Sequence, residues 1–190
     1  MTPPHEDRGV PPPPTLSEED IALRPWTEHD VVTLVQAMKD PEIPRWLPVI
    51  AQPYGPEEAR EFIAWAEQQW TTQRGLHTAI VERDAGTVLG SVGMHLNLAD
   101  ESGSLGYWVM PWARGRGVAS RGAKILARWA FESLSLQRIE LLAEVDNTAS
   151  QRAAEKAGFR REGLLRSKIK QRTGRADAYI FSLLPSDCDV

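Results

Sequence analysis

The stretch GYWVMPWARGRGVA, residues 106–119, decides how we expect this chain to fold. Its aromatic and β-branched first half is typical of a strand, and the glycines at 115 and 117 predict a turn that begins a helix. Glycine lets the backbone approach a ligand closely, and the N–H groups at the start of a helix attract an anion. The stretch therefore predicts a diphosphate-binding turn, to which Arg114 and Arg116 add positive charge. A plain strand-to-helix turn that uses glycine only for its geometry is the alternative.

Two other kinds of phosphate loop fit this stretch less well. A Walker loop requires Gly-Lys-Ser/Thr, which the sequence lacks, so magnesium-dependent hydrolysis of a nucleoside triphosphate is not expected. A dinucleotide loop requires a third glycine and a strand that leads straight into the first one, near the start of the domain. Here Pro111 and Trp112 intervene and predicted hairpins precede the loop.

Outward from this stretch, the apolar pattern predicts hairpins before it and strand–helix–strand units after it. The expected strands cover residues 21–26, 76–82, 88–98, 104–109, 139–145, 159–165 and 178–184. The expected helices begin after Thr27, at Gly55, near Val118 and at Thr148, and Pro41 and Gly75 end the first two. The prolines between those two helices predict a loop. This order is typical of a mixed α/β domain, also described as α+β.

Length and composition are those of one globular domain. The chain has 190 residues, of which 42% are apolar and 25% charged. We expect a disordered Pro-rich tail at residues 1–17, a folded domain at 18–185 and a short tail at 186–190. No apolar run approaches the roughly 18 residues of a membrane span, so no membrane partner is expected. The single cysteine, Cys188, allows no internal disulfide, which favours a cytoplasmic protein.

The charge distribution bears on possible partners. A net charge of −4 argues against direct nucleic-acid binding, which depends on many contacts from Lys and Arg to phosphate. Seven basic residues nevertheless lie between Arg160 and Arg175, with Glu162 as the only acidic residue among them. A solvated hairpin and a patch that faces an anionic ligand are the two interpretations of this segment.

Several short motifs together resemble the GNAT superfamily, and within it the RimJ/RimL-type N-acetyltransferases, which include ribosomal-protein-alanine acetyltransferases. Arg114, Gly117 and Ala119 match the superfamily's acetyl-CoA loop, Arg/Gln-x-x-Gly-x-Gly/Ala. The other matching motifs, in chain order, are LRP at 23–25, RWLP at 45–48, GYWV at 106–109, NTAS at 147–150, EKAGF at 155–159 and EG at 162–163. The resemblance spans residues 21–184 and implies the GNAT fold, a central mixed and mostly antiparallel sheet flanked by helices.

The resemblance implies that acetyl-CoA is the co-substrate and that no metal is needed. The strands at 107–110 and 139–145 would splay apart and hold the pantetheine arm through backbone groups near Val109 and Met110, and one backbone N–H there would face the thioester oxygen. The implied binding residues are Val109, Met110, Arg114, Gly115, Arg116, Gly117, Val118, Ala119, Ser120, Asn147 and Ser150. Asn147 also fits the N-cap of the helix that follows it, and the two roles are compatible.

Ser150 and His95 are the candidate catalytic residues. Many GNAT enzymes have a tyrosine that protonates the leaving thiolate where this chain has Ala154, so the Ser150 hydroxyl is expected to donate that proton instead. Many relatives also have a glutamate just before the Gly-Tyr of the fourth strand, where this chain has Ser104-Leu105. His95, on the polar face of its strand, is the expected base, and a structural or surface histidine is the alternative.

The predicted function is transfer of acetyl from acetyl-CoA to a primary amine by direct attack in a ternary complex. Cys188 lies outside every motif, so no thiol is indicated for a covalent route. An α-amino acceptor, either a protein N-terminus or an aminoacyl conjugate, is favoured because it needs a weaker base than lysine does. Trp46 is the aromatic residue expected to line the acceptor cleft. A small-molecule amine or antibiotic as acceptor and a non-catalytic acyl-CoA sensor are the alternatives, and a homodimer is compatible with the sequence.

Overall fold

The computed structural model describes residues 13–48, 50 and 52–188, which form one open sheet of eight strands flanked by five helices. The strands are β1 (Leu16–Glu18), β2 (Ile21–Pro25), β3 (Gly75–Glu82), β4 (Val88–Asn97), β5 (Ser102–Val109), β6 (Arg138–Glu144), β7 (Arg160–Lys170) and β8 (Arg175–Leu183). The helices are α1 (Val31–Met38), α2 (Glu42–Trp46), α3 (Pro56–Thr71), α4 (Val118–Leu134) and α5 (Thr148–Lys156). None of these helices is long and apolar enough to span a membrane.

The sheet contains a gap between two of its inner strands. Its strand order is β1-β2-β3-β4-β5-β6-β8-β7, and among the described strands β5 and β6 are the only parallel pair. Their pairing ends at Leu105 and Leu141, although β5 continues to Val109 and β6 to Glu144. The two strands therefore part at their carboxyl ends, which leaves unpaired backbone on both sides of the gap.

Helix α4 covers one face of the sheet beside this gap. Its inward residues are small or aliphatic, as the apolar pattern predicts, and Gly122, Ala123, Leu126 and Ala130 are all buried. A Cβ on Gly122 would lie 2.7 Å from Cδ1 of Ile80, so glycine is what lets the helix approach β3 this closely. The close packing fixes the start of α4 next to the gap.

Helix α3 covers the opposite face with an aromatic layer. Trp26 stacks on Trp108 with the ring centroids 6.1 Å apart, and Phe62 meets Trp26 edge-on at 5.8 Å. Such pairs stabilise a core beyond the area that they bury. These residues form part of the core, as the sequence predicts for most of the tryptophans.

The start of α1 is held by a buried carboxylate. Asp30 accepts two hydrogen bonds from the Arg24 guanidinium, both at 2.8 Å, and further ones from the Thr27 backbone N–H and hydroxyl at 2.8 and 2.9 Å. Thr27 is the predicted N-cap, and it precedes one turn of 3₁₀-helix that leads into α1. The Arg24–Asp30 pair thus joins β2 to the helices that follow it.

Two boundaries in the first half of the chain differ between the sequence prediction and the structure. Leu16 and Ser17, assigned to the disordered tail, belong to β1, because their backbone completes the edge of the sheet beside β2. Residues 1–12 of that predicted tail lie outside the described residues. Gly75, expected to end α3, is instead the first residue of β3, where a Cβ would lie 2.7 Å from the Met94 carbonyl oxygen.

Two further segments differ from the prediction. The expected loop between the first two helices contains α2, because Pro44 lies in the first turn of that helix, where its missing N–H breaks no helical hydrogen bond. At the other end, Pro185–Asp187 forms a 3₁₀ turn beyond the predicted domain end at 185. Asp187 accepts a hydrogen bond from the Leu184 N–H and pairs with Arg160 at 2.7 Å, which ties this turn to β7.

Candidate functional site

A cavity of about 500 Å³ lies where β5 and β6 part. Leu141 and Ala143 line it from one face of β6, and Leu142 and Glu144 line it from the other, since successive side chains of a strand point to opposite faces. The cavity therefore crosses the sheet. On one side it reaches the glycine-rich turn, α4 and α5, and on the other side it reaches α2 and the β7–β8 hairpin.

The glycine-rich turn forms the wall of the cavity on the α4 side. Gly115 and Gly117 have positive φ angles of 76° and 72°, a conformation that side chains other than glycine rarely adopt. The first helical hydrogen bond of α4 runs from the Arg121 N–H to the Gly117 carbonyl at 3.1 Å, so the three preceding N–H groups have no partner within the helix. The predicted loop residues that line the cavity are Arg114, Gly115, Gly117, Val118, Ala119 and Ser120.

The two arginines of the turn are both paired with carboxylates. Arg114 donates to Asp40 at 2.8 and 3.2 Å, which holds the pKa of Asp40 below its usual value and ties the turn to the segment between α1 and α2. Arg116 pairs with Glu82 at 3.1 Å and does not line the cavity, so the structure does not bring it together with the other residues of the turn. Backbone N–H groups and Arg114 remain as the anion-binding groups of the turn.

The end of β5 presents backbone groups to the gap. The Met110 N–H donates to the Leu89 carbonyl of β4 at 2.9 Å. Because the N–H and C=O groups of successive strand residues point to opposite sides, those of Val109 point away from β4 and into the gap. Val109 lines the cavity, whereas Met110 is fully buried and its N–H already has a partner. Of these two predicted residues, Val109 alone reaches the cavity.

A cluster of hydroxyl groups lies at the start of α5. Asn147 caps the helix, its Oδ1 accepting from the Ser150 N–H at 3.0 Å, so the N-cap prediction is confirmed. Tyr107 of β5 donates from its hydroxyl to the Ser150 carbonyl at 2.8 Å, and the Ser150 hydroxyl donates to the Tyr107 oxygen at 3.4 Å. All three residues line the cavity. Burial raises the pKa of Tyr107 to about 12, so its phenol keeps its proton at neutral pH.

Sequence reasoning missed Tyr107 because it lies within a strand motif whose residues alternate between the two faces. Arg152 and Lys156 of α5 were missed as well, although both line the cavity and add positive charge on the side of the glycine-rich turn. Their spacing of four residues places them on one face of the helix, which is the signal that the sequence offered.

The structure places His95 far from the cavity and does not bring it together with the other candidate site residues. His95 pairs with Ser104 in the region where β5 and β6 are still joined, whereas Val109 at the gap pairs with Gly90. His95 lies five residues further along β4 than Gly90, a distance of about 17 Å. The His95 side chain is exposed and its ring lies 4.9 Å from that of His77.

The end of the cavity opposite the glycine-rich turn is lined by acidic and aromatic side chains. Trp46, predicted for the acceptor cleft, lines it together with Glu42, and the Arg45 guanidinium lies 4.6 Å above the Trp46 ring. Glu144, the last residue of β6, lines it from the sheet and accepts a hydrogen bond from the Gln171 amide. Sequence reasoning also missed Glu144. The alternation of polar and apolar residues along a strand predicts which side chains are polar, but it does not predict that the strand borders a gap in the sheet.

Several arginines of the basic segment at residues 160–175 contact other groups of the protein. Arg160 pairs with Asp187, Arg161 lies 4.7 Å over the Tyr179 ring, and Arg175 donates to two backbone carbonyls of β7. These contacts agree with the solvated-hairpin interpretation for three of the seven residues.

Comparison with known proteins identifies the family. The family model for the acetyltransferase (GNAT) domain matches residues 20–160. The uncharacterized N-acetyltransferase p20 of Bacillus licheniformis is 30% identical over 173 residues, which cover 90% of this chain and 96% of p20. The chain belongs to the GNAT acetyltransferase family. The predicted fold, the family and the N-acetyltransferase class are thereby confirmed.

Solved structures of GNAT enzymes share the fold. Mycobacterium smegmatis RimJ in complex with CoA disulfide superposes with a TM-score of 0.84 at 20% identity, covering 94% of this chain and 90% of RimJ. RimL, a ribosomal L7/L12 α-N-protein acetyltransferase, has a TM-score of 0.79 at 18% identity and covers 90% of this chain and 94% of RimL. Within the described residues of this chain, no group of three or more His, Cys, Asp or Glu side chains is placed to hold a metal ion.

Proposed function

We propose that this GNAT enzyme transfers acetyl from acetyl-CoA to an α-amino group of a protein N-terminus or an aminoacyl conjugate, by direct attack in a ternary complex. The observation that carries the proposal is the cavity that crosses the sheet between β5 and β6. Its one side offers N–H groups and positive charge, and its other side offers carboxylates and an aromatic ring. An anionic cofactor and a cationic amine can thus approach the gap from opposite faces.

Acetyl-CoA would bind on the α4 side. Its diphosphate would accept hydrogen bonds from the N–H groups of Val118, Ala119 and Ser120, where the helix dipole also favours negative charge. Arg152 and Lys156 line the same side and add cationic partners for phosphate. The pantetheine arm would lie in the gap, next to the backbone of Val109 and near the side chain of Asn147. This placement brings the thioester to the middle of the sheet.

The transition state would be stabilised by groups already fixed in the gap. The backbone N–H of Val109 points into the gap, which suits the negative charge that develops on the thioester oxygen. The hydroxyl pair of Ser150 and Tyr107 lies within the same cavity and can donate a proton to the departing sulfur. The amine nitrogen forms the new C–N bond as the C–S bond breaks, and no covalent enzyme intermediate is needed.

An α-amino acceptor suits the acid–base groups of this cavity. An α-amino group has a pKa of about 7.7 to 8.0, so about a tenth of it is already neutral at pH 7. A lysine side chain has a pKa of about 10.4 and is neutral in only about one molecule in two thousand at that pH. A carboxylate is a weak base, and it is therefore better matched to the α-amino group. The fold shared with RimL, an α-N-protein acetyltransferase, agrees with this choice.

A competition assay tests the acceptor. Two peptides of one sequence are mixed with the enzyme and acetyl-CoA, one with a free N-terminus and a blocked lysine, the other with the reverse, and mass spectrometry locates the acetyl group. We expect the free N-terminus to be acetylated at least about tenfold faster, because far more of it is neutral at pH 7. Acetyl found mainly on the lysine would contradict the proposal, and transfer only to small amines would favour the small-molecule alternative.

Removal of the Ser150 hydroxyl should lower kcat moderately. We expect Ser150→Ala to lower kcat by a factor of roughly ten to a hundred, the range for loss of one general acid. Activity should persist, because a thiol with a pKa of about 8.5 can leave partly as thiolate and because Tyr107 remains beside the gap. Ser133→Ala, an exposed serine of α4 outside the cavity, is the matched control. A wild-type kcat in Ser150→Ala would reduce Ser150 to a structural residue of α5.

A further inference from the structure

Glu144 lies at the point where the two inner strands have separated. It is the last residue of β6, three residues beyond Leu141, where pairing with β5 ends. Its side chain is half-buried and lines the cavity on the face opposite Leu141 and Ala143. This is the face of α2, from which Trp46 also lines the cavity. Glu144 thus lies on the acceptor side of the gap.

The surrounding structure holds Glu144 in place. The Gln171 amide, from the turn between β7 and β8, donates to its carboxylate. Its backbone is fixed from α5, because the Gln151 amide donates to the carbonyls of Glu144 and Val145 at 3.1 and 2.8 Å. A carboxylate that is fixed from both sides and borders a cavity is pre-organised to meet a ligand.

Two nearby charges act on the Glu144 carboxylate in opposite directions. Asp146, which follows it in the chain, repels its charge, and Arg45 of α2 attracts it. Glu42 also lines this end of the cavity, but its carboxylate already accepts from Arg45 and from the Trp46 indole N–H, both at 3.3 Å. Burial raises the pKa of Glu144 above its usual value, which makes it a better proton acceptor than an exposed glutamate.

We propose that Glu144 binds the ammonium group of the acceptor and takes its proton, which makes it the catalytic base of this enzyme. The inference rests on the proposed function. It assigns to Glu144 the role of catalytic base that the sequence analysis assigned to His95. Since Glu144 comes from β6 and not from β5, where many relatives have their glutamate, it supplies a carboxylate from the opposite side of the gap.

Acetyl transfer begins when the acceptor loses a proton. Glu144 takes one proton from the ammonium group and passes it to solvent, and the freed lone pair forms a C–N bond to the thioester carbonyl carbon. The electron pair of the carbonyl moves onto its oxygen, which the Val109 N–H faces, and returns as the C–S bond breaks. The nitrogen loses its second proton to solvent, the leaving sulfur gains a proton from the Ser150 hydroxyl, and that hydroxyl regains one from solvent. The products are the amide, CoA as the thiol and one proton in solution.

The test compares Glu144→Gln with Glu144→Asp and with Glu140→Gln. Glu140 lies on the same face of β6 and outside the cavity, so its substitution controls for a lost charge on this strand. For an α-amino peptide we expect Glu144→Gln to lower kcat/KM by about a hundredfold, within the range for loss of a general base. The affinity for acetyl-CoA, measured by calorimetry, should change by less than about twofold, because the cofactor would bind on the other face.

The pH profile separates a base from a structural residue. Because ionised Glu144 is the active form, wild-type kcat/KM should rise with pH through the pKa of this residue and rise again as the amine deprotonates. The first rise should be absent in Glu144→Gln and present in Glu144→Asp, which keeps a carboxylate. An unchanged kcat/KM and pH profile in folded Glu144→Gln would overturn the proposal.

The outcomes also distinguish this proposal from the proposed function. If the wild-type enzyme acetylates an α-amino peptide and Glu144→Gln does so equally well, only the role of Glu144 fails. If the wild-type enzyme binds acetyl-CoA but transfers acetyl to no α-amino peptide, the proposed function fails first. Should Glu144→Gln not fold, as judged by circular dichroism, Glu144→Ala carries the test, and a kcat/KM and pH profile equal to those of the wild type in that variant would overturn the proposal.

Discussion

Gly117→Val should weaken acetyl-CoA binding by about a hundredfold. Gly117 precedes α4 with a φ of 72°, and a residue with a Cβ loses about 1–2 kcal/mol in that conformation. The variant would relax toward a negative φ and turn the N–H groups of Val118, Ala119 and Ser120 away from the diphosphate. Lost hydrogen bonds to a charged group cost about 1.5–3 kcal/mol, and a loss of about 2.7 kcal/mol corresponds to a factor of about a hundred in affinity. Titration calorimetry measures the dissociation constant of acetyl-CoA.

The chain offers a matched control for this substitution. Gly86, in the turn between β3 and β4, also has a positive φ, 70°, and a Cβ on it would meet nothing within 4 Å. It lies outside the cavity, so Gly86→Val carries similar backbone strain without affecting the turn at Gly117. Its affinity for acetyl-CoA should be that of the wild type. An unchanged dissociation constant in folded Gly117→Val would show that the diphosphate binds elsewhere.

Asp30→Ala should destabilise the protein by about 3 kcal/mol at pH 7. Asp30 is only 4% exposed, and its loss would leave the Arg24 guanidinium and the Thr27 N–H without their buried partner. Urea unfolding followed by circular dichroism measures the change. Asp84→Ala is the control, because Asp84 is exposed and its pair with Arg83 is a surface one, which contributes little.

The contribution of Asp30 to the free energy of unfolding should depend on pH. Burial raises the pKa of Asp30, but the hydrogen bonds from Arg24 and Thr27 outweigh burial, so the pKa lies below its usual value. A carboxyl with a lowered pKa contributes stability that is fully present above the unfolded-state pKa of about 3.9 and is lost as the pH falls through the folded-state pKa. The difference in unfolding free energy between wild type and Asp30→Ala should therefore be constant from pH 7 to about 5 and shrink below about pH 4. A difference that grows on acidification would contradict this account.

The sequence predicted the elements that follow from local rules. Thr27 with Asp30, Gly117 before α4 and Asn147 before α5 are caps and turns whose geometry depends on a few neighbouring residues. The periodicity of α4 predicted its buried face because one helix packs one stripe against the sheet. These features were predictable because each is determined within about one helical turn of the chain.

Features that depend on distant partners were not predictable in this way. β1 has only three residues, and its strand conformation comes from pairing with β2. His95 and Glu144 both lie on strands, and only the end of the pairing between β5 and β6 determines which one borders the gap. Arg116 lies in the right motif, but Glu82, 34 residues away in the chain, pairs with its guanidinium.

A crystal structure of the enzyme with CoA bound tests the central claim most directly. We expect the diphosphate on the N–H groups of residues 118–120, the pantetheine arm in the gap beside Val109, and the sulfur within hydrogen-bond distance of the hydroxyl of Ser150 or Tyr107. Glu144 and Trp46 should line open space on the far side of the sulfur, where the amine would enter. CoA bound outside the gap between β5 and β6, or a sulfur remote from Ser150 and Glu144, would contradict the account.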